Sequence, residues 1–197
     1  MKKIGFSTIE LLVTLGIFVL IIWSLINFQT DVFSQNTLIN NSLNADSEMR
    51  SALKQIIAEL RGAAQSDTGA YQIAAAAKDS ITFFSDVDGD GSREQLRYFL
   101  NGTTLMRGSI KPSGNPLAYP PTSETLKTMV YAIANPNQEI FSFYDENYTG
   151  AEAALAEPIN LSLARLVKIT LTVDANPSKP PAPLTLGSQV AIRSLKY

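Results

Sequence analysis

A single charge interrupts an apolar run long enough to cross a bilayer, and that interruption constrains this chain more than any other feature. In "KKIGFSTIELLVTLG", residues 2–16, Glu10 leads into residues 11–28, which carry no charge and are mostly Leu, Ile, Val, Phe and Trp. As a helix, the stretch from Phe6 to Phe28 would rise roughly 35 Å at about 1.5 Å per residue, enough for the hydrocarbon of a membrane. A carboxylate inside such a helix costs on the order of 2.5–3.5 kcal/mol on insertion scales. Lys2 and Lys3 precede the run, so the positive-inside rule puts the N-terminus in the cytoplasm and the remainder across the membrane. A secretory signal peptide would have a shorter apolar core closed by small residues, and "WSLINFQTDVFSQN" (23–36) offers no such site. An uncleaved anchor fits the length, with Glu10 then an interfacial glutamate facing the headgroups.

Composition narrows the chemistry. The 197 residues include no cysteine and no histidine, which removes disulfides, thiolate metal sites and every Ser-His or Cys-His nucleophile arrangement. An enzyme would have to work with carboxylates, lysine or tyrosine; Asp145-Glu146 and the aspartates at 86–90 are the best acid pairs, and such pairs are usually solvated loop charges. Sixteen Lys and Arg against eighteen Asp and Glu leave a formal charge of −2, without the basic face that a nucleic-acid backbone requires. The expectation is a protein that is not an enzyme and binds no nucleic acid.

Gly5, Phe6 and Glu10 together explain the misplaced carboxylate. A short basic leader ending in Gly, then Phe, then Glu as the fifth residue after the Gly, all ahead of a long apolar helix, resembles type IV prepilins and the pseudopilins of type II secretion. The resemblance implies that a prepilin peptidase cuts between Gly5 and Phe6 on the cytoplasmic side and methylates the new amine of Phe6. It implies also that Glu10 meets a neighbouring subunit's N-terminal amine in a filament, setting register during assembly. A buried carboxylate is tolerable once it meets a cation. One departure is Asn27, where major pilins commonly carry a helix-kinking proline. With the missing disulfide and the size of the remaining domain, it favours a minor subunit, similar to the larger minor pilins or the J-class pseudopilins.

Beyond the span, residues 31–64 turn polar but keep helical spacing, with Val32, Leu38, Ile39, Leu43, Met49, Leu53, Ile56, Ile57 and Leu60 along one stripe. Asp46 or Ser47 could restart the helix as a cap, and Gly62 reads as its stop. From residue 67 the pattern becomes short and alternating, predicting strands at 80–85, 94–100, 104–108, 128–134, 139–144, 165–173 and 189–197. Val167, Ile169, Leu171 and Val173 point one way and Lys168, Thr170 and Thr172 the other, as in an antiparallel sheet with one wet face. Loops are expected at 111–125, 146–162 (with a short helix at 151–157) and 175–187. The expected fold is α+β and pilin-like, a long N-terminal helix packed on antiparallel sheets. Its parts are a leader (1–5), a membrane and filament-core helix (6–28), an amphipathic continuation (29–62) and an extracytoplasmic β-rich domain (63–197).

"SDVDGDGSREQ" (85–95) is the other stretch with chemistry in it. Asp86, Asp88 and Asp90 before Gly91 match the first half of a calcium loop, with Glu94 at the ninth place as a further oxygen donor. Arg97 stands at the twelfth place, where an EF-hand needs a bidentate acid. The other reading is a plain hairpin turn, where Asp and Gly are favoured for backbone reasons. Calcium is thus the one cofactor the sequence suggests, and none is required.

The function expected is a minor pilin or pseudopilin, a structural subunit of a pilus or of the type II protein-secretion pseudopilus. Its partners would be other pilin subunits through the N-terminal helix, the prepilin peptidase and an inner-membrane assembly platform. The alternative is a signal-anchored binding module, an adhesin or DNA-uptake component, for which Gly5 and Glu10 have no use. From Ala63 onward eleven basic and thirteen acidic side chains argue against DNA as its ligand.

Overall fold

A computed structural model describes residues 7–174, 177 and 182–192; of these, the side chains at 30, 31, 33–39, 41 and 136 are left undescribed. The chain divides into two compact units, residues 1–41 and 42–197. Helix α1, Thr8–Arg61, contributes to both.

In the first unit, Thr8–Gln29 is a helix long and apolar enough to cross a membrane, with none of it buried inside the protein. Thr14 turns its hydroxyl back on the helix, donating to the carbonyls of Glu10 (3.0 Å) and Leu11 (2.9 Å), so that this polar group needs no outside partner.

The second unit is built on the last turns of α1 and two antiparallel sheets. Strands β1 (Ile73–Ala76), β2 (Ser80–Ser85), β3 (Glu94–Asn101), β4 (Thr104–Ile110) and β5 (Thr125–Val130) form one sheet in chain order. Strands β6 (Phe141–Tyr144), β7 (Leu166–Val173) and β8 (Leu184–Ala191) form the other. Period-two alternation sends Ile81 and Phe83 of β2 and Leu96 and Tyr98 of β3 into one buried cluster. Met49, Ile56 and Leu60 of α1 join it, as do Phe141, Phe143, Val167, Ile169 and Leu171. Each of these large apolar side chains contributes about 1.5–3 kcal/mol by leaving water, enough to hold a core without disulfides. The fold is α+β, and the alternation along β7 is as the sequence indicates, with Val167, Ile169, Leu171 and Val173 all buried.

α1 is one continuous helix through Asp46 and Ser47, without a restart there, and stops one residue before Gly62, as the sequence indicates. Several other expectations shift. Only the later part of the stripe is core: Met49, Leu53, Ile56 and Leu60 are buried, whereas Val32 and Leu43 are exposed. The side chains of Leu38 and Ile39 lie outside the described residues. The strand expected at 128–134 is displaced to Thr125–Val130, because Ala132 takes a left-handed φ of 56° that ends an extended run. Ile133 and Ala134 then cross toward the second sheet, their amides donating to Thr103 and Thr172 carbonyls at 2.8 Å. No helix forms at 151–157. Instead the Glu152 carboxylate accepts the backbone amides of Thr149, Gly150 and Ala151, and hydrogen bonds from Thr149 hold that carboxyl down at about 2. Strand β8 begins five residues before the expected 189, at Leu184, and residues 193–197 lie outside the described part. Strand β1 has no counterpart among the sequence expectations.

A crossing on the first sheet's second face explains one glycine. Gly108 pairs with Arg97 across β3–β4, and Glu124 reaches over it to grip the Arg97 guanidinium twice, at 3.0 and 2.8 Å. A Cβ at position 108 would run into the Glu124 carboxylate. Gly108→Ala is therefore expected to displace this half-exposed pair and destabilise by about 1 kcal/mol. Denaturant melts of Gly108→Ala with and without Glu124→Ala check it; the cost should vanish in the double variant.

Candidate functional site

Glu10 lies in the first turn of α1, and the structure gives it a local partner that the sequence reading did not include. Its Oε2 accepts the Ser7 backbone amide at 2.9 Å, while Ser7 Oγ accepts the Ile9 amide at 3.4 Å. Ser7 precedes the helix and Glu10 is its third residue, so "STIE" closes a capping box that satisfies two of the helix's orphan donors. The signal was present as S-x-x-E ahead of an apolar run. A negative charge there also complements the helix dipole. Gly5 and Phe6, the expected cleavage residues, lie outside the described residues.

The acidic turn sits between β2 and β3 and owes its position to their register. Ser85 pairs with Glu94 as the last rung, leaving residues 86–93 to make the turn. Asp86 organises it: its two carboxylate oxygens accept the amides of Gly89 (2.7 Å) and Gly91 (3.0 Å). Gly89 and Gly91 have φ of 75° and 88°, where only glycine sits without strain. Asp88 accepts the Asp90 amide and Asp90 the Ser92 amide, so successive carboxylates fold back on the chain.

Glu94 differs from the three aspartates. It belongs to the inward-facing row of β3 with Leu96 and Tyr98, and is 2% exposed. One oxygen, Oε2, accepts the Val87 amide at 3.1 Å; Oε1 is buried with no hydrogen-bond donor. Carboxylate oxygens of Asp86, Asp88 and Glu94 converge within 4.8 Å of one another. Asp90 is not in that triad. It is drawn aside by Lys111, one residue past β4, whose Nζ lies 2.6 Å from both Asp90 Oδ2 and Asp88 Oδ2 and 3.9 Å from Glu94 Oε1. The Lys111 hydrogen bond holds the Asp90 carboxyl below the usual range, and the hydrogen bonds to Asp88 and Asp90 raise the ammonium well above its own. Arg97, at the twelfth place of the loop, is spent on Glu124 and lies with its guanidinium 3.9 Å from the Phe99 ring centre. Asp67, the other nearby acid, is spent on Arg93 at 2.8 Å.

A third cluster escaped sequence reading because its members are far apart in the chain. Glu59 of α1 accepts hydrogen bonds from Tyr98 Oη (2.7 Å), Gln55 Nε2 (2.9 Å) and Arg107 Nε (3.1 and 3.2 Å). Tyr98 and Arg107 face each other across β3–β4. Burial and the Glu59 charge push the Tyr98 hydroxyl far above its ordinary pKa, keeping it a donor. With every charge and hydroxyl partnered, this cluster fastens the helix to the sheet and has no free group for chemistry.

Comparison with known proteins leaves these sites to be read from their own geometry: no family model matches the chain, and no curated protein sequence matches it.

Proposed function

We propose that this chain is a minor pilin or pseudopilin, a non-catalytic subunit of a type IV pilus or type II secretion pseudopilus. The peptidase cuts between Gly5 and Phe6 and methylates Phe6. Residues 6–28 first hold the subunit in the inner membrane, with the β-rich domain outside, and then pack among neighbouring helices in the filament. The observation that carries this reading is the spacing of Gly5, Phe6 and Glu10 at the start of an apolar run whose 22-residue helix, Thr8–Gln29, has none of its length buried. That surface needs lipid or other helices to cover it. The helix continues as α1 to Arg61, where its apolar stripe enters the core of the β-rich unit, as a pilin-like subunit requires.

The capping box favours a second reading, in which α1 is a plain signal anchor for a binding module and Glu10 serves only the helix start. Intact-mass measurement of the membrane-extracted protein, expressed with and without a prepilin peptidase, separates the two. Peptidase-dependent loss of Met1 through Gly5 with one added methyl group is the expected result. An unchanged N-terminus beside an active peptidase would establish the anchor and end the filament reading.

A further inference from the structure

We infer that the β2–β3 turn is a calcium site, with Asp86, Asp88 and Glu94 as its carboxylate ligands and Lys111 as a built-in counter-charge that the ion displaces. The inference stands apart from the filament reading, since it uses only residues of the 42–197 unit.

Glu94 carries the argument. A run of aspartates in an exposed turn needs no ion, because water solvates it. Glu94 has no such recourse: it is 2% exposed, and its Oε1 finds no donor. A desolvated, unpartnered carboxylate oxygen is among the more costly features a fold can hold. Among the described residues the cation facing it is Lys111 Nζ, which stops 3.9 Å away, beyond hydrogen-bond reach. That ammonium is instead bound closely to Asp88 and Asp90 at the mouth of the turn. An ion seated among Asp86, Asp88 and Glu94 would give Oε1 the partner that lysine does not supply.

The donor set selects the ion. All three ligands are hard oxygens, and a chain without cysteine or histidine lacks the thiolate and imidazole donors that zinc and copper prefer. Calcium binds oxygen at 2.3–2.6 Å, so opposed ligands stand up to about 4.6–5.2 Å apart. Oxygens within 4.8 Å of one another all fit that sphere. Magnesium demands near-ideal octahedral geometry and gives up its waters reluctantly, whereas calcium accepts the irregular ligand set that one strand residue and two turn residues offer.

Lys111 makes the site an exchange. Three carboxylates, Asp88, Asp90 and Glu94, lie 2.6, 2.6 and 3.9 Å from this one ammonium, and Arg93 is occupied with Asp67. The lysine is half exposed on a flexible stem. When calcium takes Asp88, Lys111 keeps Asp90 and swings outward. Asp90, outside the triad, thus serves the lysine and is not itself a ligand. Calcium would lock the β2–β3 turn onto the first residue of β3, Glu94, and rigidify that corner of the domain.

The test is calorimetric titration of calcium chloride, and separately magnesium chloride, into the chelator-stripped full-length protein in detergent. Expected is one calcium site with Kd in the range of about 10⁻⁵–10⁻³ M, and magnesium at least roughly tenfold weaker. Glu94→Gln should weaken calcium binding by roughly tenfold or more; because Glu94 is buried, the exposed Asp88→Asn variant provides the same test without risk to the core. Lys111→Gln should tighten binding several-fold by removing the competitor. Absence of calcium heat at millimolar concentration overturns the site, as does unchanged affinity in Asp88→Asn. Weaker binding in Lys111→Gln overturns the exchange and makes the lysine part of a plain ion-paired turn.

Discussion

Replacing Arg107 with methionine is expected to destabilise the 42–197 unit by about 3 kcal/mol, the largest loss anticipated from any single charge. Arg107 and Glu59 keep only 12% and 10% of their side chains exposed, so removing one leaves the other charged and poorly solvated. Breaking a buried pair in this way costs roughly 3–5 kcal/mol, and the residual exposure argues for the lower end. The pair itself is worth much less than that, because folding must first strip water from both ions. Glu59→Gln combined with Arg107→Met should therefore lie within about 1 kcal/mol of the wild type, since Tyr98 and Gln55 can still bond the glutamine amide. Denaturant unfolding of the full chain in detergent, followed by tyrosine near-ultraviolet dichroism, makes the comparison. Tyrosine is the proper probe because the lone tryptophan, Trp23, sits in the apolar segment. If Arg107→Met alone lost under about 1 kcal/mol, the tie would be solvated, and the helix would be held on the sheet by apolar contact alone.

How legible this molecule was depends on where the information sits. β3 and β7 were read to within about a residue because each buries alternate residues, which forces alternation into the sequence. β1 was not, because "IAAA" has no alternation and little β propensity; it is extended only because Ile73 and Ala76 find partners on β2 across a bulge. The apolar "MVYAIA" drew the fifth strand too far along, since hydrophobicity alone cannot reveal that Ala132 turns the chain toward a second sheet. Gly187 made the start of β8 look like loop, whereas at this sheet edge a glycine is tolerated within the strand.

The candidate sites divide similarly. The acidic turn was visible because its carboxylates, from Asp86 to Glu94, lie close together in the chain. Lys111 was not visible, because its approach depends on β4 running antiparallel beside β3. The Glu59–Tyr98–Arg107 cluster was invisible for the same reason on a larger scale: it joins residues dozens of positions apart. Sequence shows what alternation and spacing encode, and long-range charge pairing is encoded by neither.

Glu10→Gln supplies the last and most discriminating prediction, because capping and charge pairing make opposite demands on it. Glutamine at this position still accepts the Ser7 amide and keeps the capping box, but carries no charge. If Glu10 exists to cap the helix, Glu10→Gln should behave as wild type, while Glu10→Ala and Ser7→Ala should share a modest defect of about 1 kcal/mol. If it exists to meet a neighbour's N-terminal amine in an apolar filament core, Glu10→Gln should fail nearly as badly as Glu10→Ala. Truncating one partner of a desolvated charge pair costs about 2–5 kcal/mol, or roughly thirtyfold and upward in association. Ser7→Ala should then assemble close to normally. The measurement is the filament-to-membrane ratio of each variant, after mass analysis has shown equal processing at Gly5. On the filament reading, Glu10→Gln is expected to be processed, retained in the membrane and nearly absent from filaments. Wild-type incorporation of Glu10→Gln would reduce Glu10 to a helix cap, and the selection of register would have to be sought elsewhere along the apolar helix.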